Sequence, residues 1–303
     1  MTNDSVDSWS AQDGVRKRPA MYVGSTDARG IHMLACELFD NAVDQFRAGT
    51  ASCLTVTLHS DGSLTCEDDG DGVSCDGVPE FEGRSFLEVV LTEMFAGGRF
   101  VKGRYGTGMS WGVGMLAVNA LSVWLVAESH WRGSTWTLRC EAGRVTESLV
   151  RISTTDRHGL RVTFKPDTTI FIACRLDAAT IVHRLSEVAF LVPGFRIDFH
   201  DEAISEHRHF FCEAGTADHV SVLVSGEKTA IPKAVRVTRS TDGLRLDAAF
   251  TYRLARNTDA EMISYVNCFR TVDGGTHQLG FEHGLSAALK TFAAQHQLAE
   301  PAL

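Results

Sequence analysis

Glu37 and Asn41 lie four residues apart in the segment Ile31–Arg47, IHMLACELFDNAVDQFR. In a helix that spacing points both side chains the same way, one turn apart. A carboxylate beside a carboxamide suits metal-assisted hydrolysis. The amide oxygen can ligate Mg2+, and the carboxylate can orient and deprotonate a water. The pair is also what an amphipathic helix shows to solvent, and Asp44 and Gln45 continue the polar stripe. A second candidate is Asp68-Asp69-Gly70-Asp71-Gly72, directly after a strand pattern. A carboxylate at a strand end beside glycines lets a flat ligand approach the backbone. A buried Asp can accept from an amino group such as the exocyclic amine of adenine. A plain Asp/Gly turn explains the same residues, whereas a twelve-residue Ca2+ loop would need a terminal Glu that is absent. A third candidate runs through Gly97, Gly98, Gly103, Gly106, Gly108, Gly112 and Gly114, with Arg99, Lys102 and Arg104 among them. Amides without a Cβ beside them, ending at a helix start, make a phosphate cradle. Its spacing fits neither the P-loop nor the dinucleotide fingerprint. The order of the three half-sites is more informative than any one of them.

The elements that would position these residues follow from periodicity. Ile31–Arg47 reads as a helix, with Met33, Leu34, Leu38, Ala42 and Phe46 at helical spacing. Cys53–Leu58 and Ser63–Glu67 read as strands around the turn Ser60-Asp61-Gly62. Phe86–Phe95 and Val113–Leu121 read as helices, and Ser122–Glu128, Thr135–Cys140 and Gly159–Phe164 as strands. This order predicts an α+β sandwich with helices on one face of a mixed sheet, not alternating βαβ units. Near residue 170 the pattern restarts. Leu176–Phe190 reads as a helix, and Gly194–His200, Ala234–Thr238, Leu246–Leu254 and Ser264–Phe269 as strands. A loop at Asp273–His277 and a helix at Leu279–Gln295 follow. The expected domains are a polar arm over 1–14, a first domain over 15–172 and a second over 173–303.

The 303 residues carry 44% hydrophobic and 22% charged residues, ordinary for a globular protein of two domains. With 29 Lys and Arg against 38 Asp and Glu, the net charge of −9 argues against a basic footprint over the whole molecule. A local basic face is still open. Between 227 and 256, Lys228, Lys233, Arg236, Arg239, Arg245, Arg253 and Arg256 outnumber Glu227, Asp242 and Asp247 by seven to three. No apolar run reaches the roughly 18–20 residues of a spanning helix, and the polar first residues resemble no targeting peptide, so a cytoplasmic location is expected. Eight cysteines without a C-x-x-C pair are expected to be reduced thiols rather than a zinc site.

The three half-sites and their flanks resemble a known family. Val15–Gly24 reads VRKRPAMYVG, Glu37–Asp44 ELFDNAVD, Asp68–Val73 DDGDGV, Ala96–Phe100 AGGRF and Gly112–Ser122 GVGMLAVNALS. In the second half Arg184–Leu191 reads RLSEVAFL, Phe211–Gly215 FCEAG and Asp273–His277 DGGTH. Together they resemble the ATPase region of DNA gyrase B and its topoisomerase IV counterpart, in the GHKL superfamily. The resemblance implies a GHKL (Bergerat) ATPase α/β sandwich, followed by a gyrase-B-type transducer domain (ribosomal protein S5 domain 2-like) that is incomplete at its C-terminus. It implies ATP and Mg2+ as cofactors. Glu37 then falls on the general base, Asn41 on the Mg2+ ligand and Asp68 on the acid that binds the adenine amine, with Gly70 and Gly72 giving the base room. Gly97 and Gly98 fall before the lid, and Tyr105 near a lid tyrosine. Gly108, Gly112 and Gly114 fall on lid glycines that wrap the phosphates, with Val113 in the same cofactor-binding run. A second copy on nucleotide binding, DNA against the second domain and a topoisomerase subunit are the implied partners, and no membrane.

The sequence departs from the family in several places. Gln45 and Asp71 stand where the family has a Glu–Arg ion pair over the base. Ser74 replaces a proline. Leu160 replaces a threonine whose hydroxyl supports the adenine water. Met109, Ser110 and Trp111 replace Gly, Leu and His in the lid. No Q-T-K occurs in the 303 residues, and the metal-binding TOPRIM part of the family is not among them. Losing a cation at the γ-phosphate costs several kcal/mol of barrier. A slow ATPase that is no topoisomerase by itself is therefore expected. The alternatives are a non-hydrolysing regulatory paralogue acting through a partner, or one chain of a split enzyme. Aminocoumarins, which compete for the nucleotide pocket of the family, are expected to bind weakly because Asp71 and Ser74 replace rim contacts; nanomolar affinity in a calorimetric titration would refute this.

Overall fold

The computed structural model describes residues 10–96, 112–172, 174–241, 243–254 and 260–298. Chain contacts divide it into two compact units, 1–253 and 254–303.

The first unit opens with α1 (Ala11–Lys17), α2 (Ala20–Val23) and the long α3 (Ala28–Ala48). The Asp27 carboxylate caps α3 by accepting from the Arg29 amide at 2.8 Å, and Gly49 ends it in the left-handed region at φ +80°. Strands β1 (Cys53–Leu58) and β2 (Leu64–Asp68) follow, then α4 (Phe86–Thr92) and α5 (Gly114–Ala120). Next come β3 (Ser122–Trp131), β4 (Ser134–Glu141), β5 (Arg144–Thr154), β6 (Gly159–Pro166), α6 (Ala178–Leu191), β7 (Arg196–Asp201) and β8 (Glu206–Phe210). These eight strands form one sheet in the order β5-β4-β3-β6-β2-β1-β7-β8. Every neighbouring pair is antiparallel except β1 and β7, which makes the sheet mixed, as the sequence order predicts. Period-two alternation sends Leu54, Val56, Leu64, Cys66, Leu125, Ala127, Val162, Phe164, Ile197 and Phe199 to one buried face. Against that face α3 lays Ile31, Leu34, Leu38, Phe39, Ala42 and Val43. The unit ends with α7 (Thr216–Leu223) and the hairpin of β9 (Val235–Thr241) and β10 (Leu244–Phe250).

Several elements differ from the sequence expectation. Strands β5 and β8 are the two edges of the sheet and are largely exposed, so they carry no apolar alternation to read. Residues 11–14, expected in a polar arm, are the first turn of α1. The Ser10 hydroxyl caps that helix, and Val15 is fully buried. The sequence pattern restarts near 170, yet β7 lies beyond that point and pairs with β1 through six residues, so the sheet continues across it. Arg236 and Arg253, two members of the basic run, are committed to ion pairs with Asp247 at 2.6 Å and Glu227 at 2.9 Å.

In the second unit the strand expected over 264–269 is a hairpin of β11 (Tyr265–Val266) and β12 (Phe269–Arg270). Asn267 and Cys268 turn it at φ +52° and +70°. Helix α8 (Thr276–Gln295) follows the DGGTH loop. Among the described residues no helix is long and apolar enough to cross a membrane.

Helix α1 is tied down by Arg16, with help from Gln12, which donates to the Thr92 carbonyl at 2.8 Å, and from Asp13, which pairs with Arg144 at 2.9 Å. Arg16 Nη2 meets Asp167 Oδ2 at 2.6 Å, and Nη1 donates to the Ala120 carbonyl at 2.7 Å. Arg16→Ala leaves the nearly buried Asp167 without its cation and should cost about 2 kcal/mol. In a thermal melt, a loss of about 4–8 °C is expected, and an unchanged melting temperature would show that α1 is held without Arg16.

Candidate active site

Glu37, Asn41 and Gln45 form one stripe along α3, at i, i+4 and i+8. At one end Glu37 reaches the start of α5. A Cβ on Gly114 would collide with Glu37 Oε2, so glycine there lets the first turn of α5 close on the carboxylate. At the other end Gln45 packs against Gly70, where a Cβ would stand 3.2 Å from Gln45 Cβ and Cγ. The stripe therefore runs from the helix start at Gly114 to the glycine loop after β2. Burial pushes the Glu37 carboxyl up to about 7, the range that suits a general base at neutral pH. Among the described residues nothing hydrogen-bonds that carboxylate.

Asn41 lines a cleft with Leu38, Ala42, Leu54, Cys66, Asp68, Leu160 and Val162. It holds about 230 Å³ of empty space, counting what is open to solvent. Its walls are aliphatic, and its polar side chains are Asn41, Cys66 and Asp68. Asp68 points inward because it continues the buried alternation of Leu64 and Cys66. Its Oδ1 accepts from the amides of Gly70 at 2.8 Å and Leu160 at 3.4 Å, which leaves Oδ2 for a donor in the cleft. Burial pushes this carboxyl up to about 6 against the pull of the two amides. The other two acids of the loop do different work. Asp69 accepts from the backbone of Ser52 and Cys53 at 2.7 and 2.8 Å and ties down the start of β1. Asp71 is exposed.

Gly159, between His158 and Leu160 where the family has Thr-Gly-Thr, is a further residue of the site. It sits at φ +117°, and a Cβ there would run into the Asp68 carbonyl. Any side chain would push β6 off the loop that aims Asp68. Its neighbour His158 bonds the Gly70 carbonyl through Nδ1 at 2.9 Å. Ser129 accepts from the Val73 amide at 2.9 Å and donates to the Val73 carbonyl at 2.8 Å. These contacts surround Gly72, which leaves no space for a Cβ beside the His130 carbonyl. The cleft walls were readable only as alternation on β2 and β6 and as the positions next to the Glu37 stripe on α3.

Gly112, Val113 and Gly114 lead into α5, with Val113 as its N-cap. The Gly112 carbonyl accepts from the Phe95 amide at 2.9 Å. Gly97, Gly98, Tyr105 and Gly108 lie outside the described residues. Among those described, no three His, Cys, Asp or Glu side chains gather as a metal site. One Asn suits an ion that takes most of its ligands from phosphates and water, the habit of Mg2+. The aliphatic slot, its single free carboxylate oxygen and the glycine approach to α5 fit a nucleotide whose base, metal and phosphates follow one another along α3.

Comparison with known proteins agrees with this geometry. Residues 26–170 match the family model described as histidine kinase-, DNA gyrase B- and HSP90-like ATPase, and residues 215–302 match the model DNA gyrase B. The DNA gyrase B protein of Thermotoga maritima is 39% identical over 97% of this chain and 47% of its own length. The corresponding DNA topoisomerase 4 protein of Staphylococcus aureus is 36% identical over 96% of this chain and 44% of its own length. The chain thus spans less than half the length of these relatives. The crystal structure of the 43K ATPase domain of Thermus thermophilus gyrase B, in complex with an aminocoumarin, superposes with a TM-score of 0.82. It is 36% identical, and the match covers 96% of this chain and 75% of that one. The α3 stripe, the Asp68 cleft and these likenesses together place the chain in the DNA gyrase B family, as a gyrase B-like ATPase domain.

Proposed function

We propose that this chain binds ATP with Mg2+ and hydrolyses it slowly. The observation that carries this is the single α3 stripe that joins the Gly114 helix start to the Asp68 loop. Asp68 Oδ2 accepts from the exocyclic amine of adenine, while Leu38, Ala42, Leu54, Leu160 and Val162 enclose the base. Asn41 offers its amide oxygen to the metal, which when bound supplies positive charge to the phosphates. The amides of Gly112, Val113 and Gly114 face the phosphate side. Glu37 takes the proton of the attacking water, and its position near neutrality lets it do so in its ionised form. Slow turnover is supported by the sequence, whose 303 residues hold no Q-T-K to bring a lysine to the γ-phosphate. Contact with DNA, pairing with a second copy and association with a topoisomerase subunit are supported by family membership alone. A cytoplasmic location is supported in the same way.

Two variants test this. Glu37→Gln should keep ATP affinity within a few-fold and cut phosphate release by roughly 100-fold or more. Equal rates in the two proteins would remove Glu37 from the reaction and favour a binding module. In the wild type the rate should rise with pH through about 7 and then level, as the base ionises. Stability should move the other way. The folded state holds the Glu37 proton up to about 7 while the unfolded chain loses it near 4.5, so stability falls as pH rises between these values. Glu37→Gln should therefore stabilise the protein at pH 8, by roughly 1–2 kcal/mol after allowance for solvent screening, and not at pH 4. Asp68→Asn replaces one acceptor oxygen by a donor that opposes the adenine amine. Calorimetry should show at least a roughly tenfold loss of ATP affinity, and unchanged affinity would place the base elsewhere.

A further inference from the structure

Helix α3 carries a second polar stripe. His32, Cys36 and Asp40 follow at i, i+4 and i+8, about 100° around the helix from Glu37 and Asn41. Helix α6 holds the first and the last of them. The backbone N–H of Asp177, the N-cap of α6, donates to His32 Nε2 at 2.8 Å. The imidazole therefore carries its proton on Nδ1, which donates to the Ala28 carbonyl at 2.5 Å. Two turns along α6, Arg184 Nη2 donates to Asp40 Oδ1 at 3.5 Å, and its Nη1 lies 3.7 Å from Oε2 of the buried Glu187 on the same helix. Asp40 is 2% exposed and the Arg184 side chain 14%, so little water is at hand to replace either partner. The eight residues from His32 to Asp40 rise about 12 Å, and the seven from Asp177 to Arg184 about 10 Å, so the two helices meet at two matched points.

We propose that Arg184 is a positioning residue: from α6 it grips Asp40, while the N-terminus of α6 holds His32, and so it fixes the rotation of α3 that aims Glu37 and Asn41 into the cleft. This rests on the nucleotide-binding function proposed above. Side-chain tips lie about 6 Å from a helix axis, so a turn of about 20° swings Glu37 by about 2 Å. A misplacement of about 1 Å can cost roughly 100-fold in rate. Asp68 is set by β2, β6 and the glycine loop, and such a turn leaves it in place. The competing explanation is that Arg184 only neutralises a buried acid. In that case replacing the cation and both acids it faces, Asp40 and Glu187, by neutral residues restores the protein completely.

The test uses the full chain as wild type, Arg184→Met, Arg184→Lys and the triple variant Asp40→Asn/Arg184→Met/Glu187→Gln. Melting temperature, ATP affinity in EDTA and in Mg2+, and kcat and KM are measured for each. Arg184→Met should melt lower, lose at least tenfold in kcat and lose the gain in affinity that Mg2+ gives. Its metal-free affinity should stay within about twofold, because the base is held by Asp68. The triple variant should recover the melting temperature but neither kcat nor the Mg2+ gain, and Arg184→Lys should recover part of both. A triple variant that regains turnover and the Mg2+ gain overturns the proposal, as does Arg184→Met with both intact. If the wild type binds ATP without turnover, the Mg2+ gain alone decides. If it binds no ATP under either condition, the nucleotide site itself falls and the proposal with it.

Discussion

Three carboxyl groups withdrawn from water set the terms for the first unit. Burial pushes Glu37 and Asp40 to about 7 and Asp68 to about 6. Each ionised acid in such a place costs free energy that packing elsewhere must offset. The surroundings treat the three differently. Asp40 has a cation, Asp68 has two backbone amides, and Glu37 has no hydrogen-bond donor among the described residues. Those differences fit the roles proposed for them: Asp40 faces a neighbouring helix, Asp68 is fixed as recognition of a base would require, and Glu37 is not committed to a donor among the described residues.

The same constraint explains why α3 is long and where it sits. Its apolar side is buried against the strong alternation of β1 and β2 and against neighbouring helices, and that burial offsets the cost of the acids on its other flanks. The close approaches that complete the site all need glycine. At Gly114 and Gly159 a side chain would displace a helix start or a strand from the acid it serves. The site is therefore assembled from backbone approach as much as from functional side chains, which is why it is narrow and largely aliphatic.

Much of this was legible in the sequence for one physical reason: buried faces leave a period. The α3 stripe, the alternation of Leu64, Cys66 and Asp68, and the hairpin around Ser60-Asp61-Gly62 follow from it. Edge strands β5 and β8 bury too little to leave one. Asp68, Asp69 and Asp71 are chemically alike in the sequence, and only strand register separates the ligand-facing acid from the tether and the exposed one. Gly159 and Arg184 stand in motifs of the sequence, but what they do there was hidden for another reason. Each acts across a large sequence separation, on Asp68 and Asp40 respectively, and no local pattern encodes such a partner. The motif glycines Gly97, Gly98 and Gly108, with Tyr105, fall outside the described residues and stand on the family resemblance alone.

The loss of the family's ion pair at Gln45 and Asp71 also takes a sharper meaning. Had the pair been buried, a change at one end alone would have stranded a charge and both would have had to change together. Asp71 is exposed, so water solvates it whatever stands opposite. Gln45 is held by a neutral bond, with its side-chain oxygen accepting from the Thr50 hydroxyl at 2.8 Å. Each substitution was therefore cheap by itself, and neither requires the other. The rim can drift in charge at little cost to the fold, while Asp68, buried and fixed by two amides, cannot. Variation among such sites should thus collect at the rim and change which larger ligands are admitted, leaving recognition of the base to the central acid.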